Sequence, residues 1–136
     1  MKISCIVATV IFAVFAYFQV NDATQYLNGD FWSWILFYLG TATVSLLVGI
    51  EICKSLPLLT GFAGFALGSF LFRMQDEHGN FQFENFTGRD WFADQETGVM
   101  KQQTNEAGGL LIVAVWLFIL AYMVWRKYKA TYKQKA

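Results

Sequence analysis

The chain is 136 residues long, 56% hydrophobic and 18% aromatic, with 15% charged residues, against about 25% in soluble domains. One domain of that size cannot hide so much apolar surface from water, which excludes an ordinary soluble fold and makes hydrocarbon the expected solvent. Ten basic and ten acidic residues cancel, but the two signs occupy different stretches of the chain.

A helix crossing a hydrocarbon core of about 30 Å needs about 20 mainly apolar residues. The first candidate span, 3–20, carries no charge. Because Lys2 precedes it, a secretory signal is the competing reading. Ala13 and Ala16 are spaced wrongly for a cleavage site, so a retained span is expected. The second span, 31–53, has Glu51 near its end, and the third, 56–74, has Arg73 near its end. The fourth, 108–125, runs into the basic stretch 126–136. Pro57 suits the first turn of the third helix. The expected fold is all-α: a single transmembrane domain built as a four-helix bundle, with a polar outer loop over 75–107.

Orientation follows from Lys and Arg. Four spans put Lys2, Lys54, Arg126, Lys127, Lys129, Lys133 and Lys135 on one side and Arg73, Arg89 and Lys101 on the other. Both termini are therefore expected in the cytoplasm, in a bacterial inner membrane or a eukaryotic cellular membrane. The loop holds Asp76, Glu77, Glu84, Asp90, Asp94, Glu96 and Glu106 against two basic residues. Phe81, Phe83, Phe86, Trp91 and Phe92 interrupt it, the pattern of a segment resting on headgroups. The stretch 97–105 is expected to extend the fourth helix outward. Trp32, Trp34 and Tyr38 mark one membrane interface, and Tyr122, Trp125, Tyr128 and Tyr132 the other.

Packing in lipid favours small residues. Thr41, Ser45 and Gly49 in the second span, and Thr60, Gly64 and Gly68 with Gly61 in the third, are spaced to let two helices approach closely. Such seams also suit a homo-oligomer. Cys5 and Cys53 are expected to be reduced packing residues. Glu51 is expected to pair with Lys54, three positions on.

The topology directs three helix ends to the outer face, where Asn21, Asp22, Arg73 and Glu106 are expected to meet, with Trp34 and Tyr38 beside them. Each has a plainer reading. Asn21 and Asp22 suit a turn, Arg73 suits snorkelling to headgroups, and Glu106 suits a helix N-terminus. Ionisable groups at a membrane boundary nevertheless often mark sites. His78 is the sole histidine, which argues against a histidine-rich metal site or a His-paired nucleophile. No catalytic residues, metal or cofactor are expected, and the basic stretch is too short to imply nucleic acid. Asn85-Phe86-Thr87 matches a glycosylation acceptor, relevant to a eukaryotic secretory pathway.

The leading functional expectation is non-enzymatic: recognition of a lipid, small ligand or membrane protein partner at the outer face. Proton or small-solute transport by an oligomer, using Glu51 and Glu106, is a second reading. An enzyme acting on a lipid-linked substrate is a third. Phe18-Gln19-Val20-Asn21-Asp22, then Trp34 and Tyr38, then Glu106-Ala107-Gly108-Gly109-Leu110 give the chain a further feature. With these residues it resembles the transmembrane protein 220 family of small membrane proteins. Members typically show a Gln-x-Asn-Asp-Pro-Asp stretch, and here Ala23 stands where that proline would be. The resemblance implies a four-helix membrane protein of uncharacterised activity, and it points to Asn21, Asp22 and Glu106.

Overall fold

A computed structural model describes residues 1–25, 31–75, 78–81 and 102–133. Among them run four helices: α1 (Lys2–Gln25), α2 (Phe31–Gly49), α3 (Leu56–Arg73) and α4 (Gln102–Lys133). Each is long and apolar enough to cross a membrane. Large side chains face outward along all of them, among them Ile3, Val10, Leu36, Phe65, Phe72 and Val115. That arrangement is costly in water and natural in lipid.

Helices α1 and α4 both run past the apolar spans 3–20 and 108–125. Helix α1 continues to Gln25, so the backbone of Asn21 and Asp22 is helical rather than a turn. Helix α4 begins at Gln102, so 102–105 extend it as expected, and it continues through the basic stretch to Lys133. Its 32 residues span about 48 Å, well beyond a hydrocarbon core, so the basic stretch is a helical extension rather than a separate tail. Other expectations for the loop, including its aromatics past Phe81, the glycosylation acceptor and 97–101, lie outside the described residues. After α3 the chain turns back on itself, with an isolated antiparallel bridge between Gln75 and Phe81 and Gly79 at φ 81°.

Helix α2 stops at Gly49 rather than at Cys53. Glu51 has φ 67°, the left-handed conformation that closes helices. The amides of Glu51 and Ile52 donate to the carbonyls of Val48 (3.1 Å) and Leu47 (2.9 Å). This is the Schellman pattern, with a glutamate where glycine is usual. Helix α3 starts just afterwards. The Ser55 hydroxyl accepts from the Leu58 amide at 3.3 Å, a side-chain cap, and Pro57 sits where its missing N–H is of no consequence.

The chain divides into two compact units, Met1–Thr60 with Leu117–Ala136, and Gly61–Trp116. In the first, α1 and α2 pack together and run antiparallel. Cys5, Ala8, Phe12, Ala16 and Gln19 form the buried stripe of α1, and Trp34, Tyr38, Thr41, Ser45, Val48 and Gly49 that of α2. Close approach is decided at Gly49, where an added Cβ would lie 2.8 Å from the Cys5 Cβ. Toward the opposite end of the pair, Phe12 stacks near Tyr38 (centroids 6.5 Å) and Phe15 meets that ring edge-on at 5.6 Å. Leu117, Leu120, Ala121 and Val124 supply the buried stripe of α4 in this unit.

In the second unit the buried positions among the described residues are Ala63, Ala66, Met74, Glu106, Ala107, Gly109, Leu110, Val113 and Ala114. The expected seam on α3 is not among them. Thr60, Gly61, Gly64 and Gly68 are exposed, and a Cβ added at any of the three glycines would meet nothing within 4 Å. Of the two small-residue seams, the one on α2 packs against α1, and the one on α3 faces outward.

Candidate functional site

Arg73 is the last residue of α3, and Glu106 lies in the second turn of α4. Arg73 Nη1 stands 2.6 Å from Glu106 Oε2, with the carboxylate side chain 6% exposed and the arginine 36%. Because α4 begins at Gln102, Glu106 is past the first turn, where the helix dipole acts most strongly. Its charge is instead met by the guanidinium. Arg73 is thus more than a snorkelling side chain: it touches a buried anion and keeps part of its surface outward. Removing charge from water costs several kcal/mol per ion, and the guanidinium 2.6 Å away offsets part of that cost. A sequence with few charges that buries one carboxylate here has a local reason to do so.

Trp34 and Tyr38 lie in the first unit and face inward, at 8% and 3% exposure. They are therefore not outward-facing belt residues, whereas Trp32, at 63% exposure, faces outward. Their rings lie 6.2 Å apart, within the Phe12–Phe15–Tyr38 cluster. The structure brings Arg73 and Glu106 together and, separately, Trp34 and Tyr38. Asn21 and Asp22 are placed on α1 by their backbone, and their side chains lie outside what the structure describes.

Reading the sequence missed one buried polar residue. Gln19 is 8% exposed, and its signal was its place on the Cys5, Ala8, Phe12, Ala16 stripe. The buried hydroxyls of Thr41 and Ser45 carry no comparable message. They donate to the carbonyls of Phe37 (2.9 Å) and Thr41 (2.7 Å) one turn back, the usual resting place of such groups in a helix.

Glu51 has a different partner from the one expected. Lys127 Nζ donates to its Oε1 at 2.6 Å. The Lys54 pairing presupposed a helix through 51–54, and α2 has ended by then. The hydrogen bond from Lys127, then its positive charge, hold the Glu51 carboxyl below the ordinary carboxylate range. Cys5 is buried and Cys53 half-buried, and both are free thiols. Among the described residues no three His, Cys, Asp or Glu side chains gather as a metal site.

Compared with known proteins, residues 11–122 match a family model described as "Transmembrane family 220, helix". No curated protein and no solved structure matches the chain.

Proposed function

The chain belongs to transmembrane family 220 and is a multi-pass membrane protein, and on that premise we propose that it recognises a lipid, small ligand or partner protein at its outer face through Arg73 and Glu106. One observation carries this reading: a carboxylate 6% exposed, 2.6 Å from an arginine that keeps 36% of its side chain accessible. A planar guanidinium has five donors in a fixed fork. With Glu106 fixing its position, the accessible edge is set to receive a phosphate, carboxylate or carbonyl oxygen. The pair thus resists wandering while 36% of the arginine side chain stays accessible. Asn21 and Asp22, and the Trp34–Tyr38 pair, belong to the other unit.

The experiment is retention of lipids and small acids by the purified protein, read by native mass spectrometry, for the natural chain, Arg73→Gln and Glu106→Gln. Arg73→Gln is expected to lose the bound species, and Glu106→Gln to weaken it. Equal retention by all three counts against the proposal. Both termini facing the cytoplasm is part of the same reading, supported by the distribution of Lys and Arg. Cysteine-accessibility labelling at either terminus against the 75–107 loop tests it.

A further inference from the structure

The first unit carries a cleft of about 610 Å³ at the end where α1 begins and α2 stops. Its floor is apolar, with Val48 and Val124 at 1% and 4% exposure. Its rim is polar, with Glu51, Lys54, Lys127 and Thr131. The membrane-crossing stretches of α1, α2 and α4 end at Lys2, Gly49 and Thr131, so every one of these rim residues lies within five positions of a span boundary. Residues near the ends of a membrane-spanning helix lie near the headgroup layer. The rim is also held in place. The Tyr128 hydroxyl donates to the Lys54 carbonyl at 3.2 Å, tying the chain after α2 to α4. Lys127 is pinned by Glu51 at 2.6 Å. Glu51 itself sits in the left-handed conformation, which a side-chain-bearing residue adopts at a cost.

We propose that this cleft binds the phosphate of an anionic phospholipid headgroup, between Lys54 and Lys127, with Thr131 as a further donor and the glycerol end against Val48 and Val124. A cleft of this volume lies within the range of small-ligand sites, and basic pockets between membrane helices are fit for such headgroups. In this arrangement Glu51 is the occupant of Lys127 when no phosphate is there, so ligand and carboxylate compete for one ammonium. Arg126 and Lys129 lie on the same helix but are not part of the cleft lining. Lys129 stands over the Trp125 ring at 5.2 Å. They add charge without adding a site.

That distinction supplies the test. The full-length protein is placed in phosphatidylcholine nanodiscs, and phosphatidylglycerol is titrated in while thermal unfolding is followed. One variant removes two cleft charges (Lys54→Gln with Lys127→Gln), and a second removes two neighbouring charges (Arg126→Gln with Lys129→Gln). The cleft variant is expected to need at least about tenfold more phosphatidylglycerol for the same shift, and the neighbour variant clearly less than the cleft variant. Glu51→Gln is expected to bind more tightly than the natural chain, because it frees Lys127. An arm with inorganic phosphate separates the sources: stabilisation by the lipid alone identifies a headgroup site, and stabilisation by both identifies a site for phosphate itself. Equal losses in the two double variants overturn the proposal in favour of general surface charge. So does weaker binding by Glu51→Gln, and so does a natural chain that neither probe stabilises.

Discussion

Two carboxylate–cation pairs among the described residues have the same length and different surroundings. Arg73–Glu106 and Lys127–Glu51 are both 2.6 Å apart. The carboxylate of the first is 6% exposed, while the second has both side chains at least half exposed. Distance therefore says nothing about which matters. Water weakens attraction between exposed charges, and such pairs contribute at most about 1 kcal/mol. A buried carboxylate lacks that screening, so taking away its cation leaves a charge with little to solvate it. The largest expected effect follows. Arg73→Ala should lower stability by about 3 kcal/mol, toward the low end for a broken buried pair because Arg73 is itself partly exposed. Denaturant unfolding in bicelles measures it. A loss no larger than that of Lys127→Ala would erase the contrast.

The next effect sharpens it from the other side. Glu106→Gln removes the anion and leaves the cation, which can still reach the membrane surface. It should cost about 1 kcal/mol, clearly less than Arg73→Ala. The order of the two substitutions thus reports which partner is stranded by burial. Were Glu106→Gln the more damaging, Arg73 would be the group needing compensation, and burial would not explain the pair.

Much of this is legible in the amino-acid sequence. The four apolar stretches were legible because lipid demands an uninterrupted run of about 20 residues, and few other constraints write so plainly. That Arg73 and Glu106 are near one another followed from helix direction alone, since both close the same connection. What was not legible depended on contacts between distant parts of the chain. Lys127 lies 76 positions from Glu51, and no local pattern names it. Spacing of small residues was equally silent about use. Gly49 meets Cys5, whereas Gly64 and Gly68 on α3 meet nothing within 4 Å. The end of α2 was hidden for a third reason: its terminator is a glutamate in the left-handed conformation, a role that sequence reading assigns to glycine or asparagine. Trp34 and Tyr38 carried the composition of an interface belt but face inward, because a three- to four-residue period aligns them with the α2 stripe.

The exposed pair yields smaller effects, and salt and acid separate it from the buried one. At about 1 M salt the screening length falls to about 3 Å, so Lys127→Gln and the natural chain should unfold alike, while the Arg73→Ala deficit persists. Acid acts in the same direction. Lys127 lowers the Glu51 pKa in the folded protein, so folding disfavours protonation there. The pair's contribution is complete above the unfolded carboxylate value and fades as pH falls through it toward the folded one. The difference between Glu51→Gln and the natural chain should therefore be present near neutral pH and vanish in acid. A difference that grows on acidification contradicts the assignment of Lys127 as the stabilising partner.

The smallest effect asks why a glutamate occupies that position at all. A left-handed conformation costs a side-chain-bearing residue roughly 1–2 kcal/mol, and glycine avoids that cost. Glu51→Ala keeps the strain and loses the ion pair, whereas Glu51→Gly loses the ion pair and relieves the strain. Glycine should therefore give the more stable of the two variants and stand close to the natural chain, since an exposed pair offsets little. If so, glutamate at this helix end is not there for stability, and its hold on Lys127 is the remaining physical reason for its presence. If the alanine variant proves as stable as the glycine one, residue 51 is unstrained, and the two ion pairs differ in burial alone.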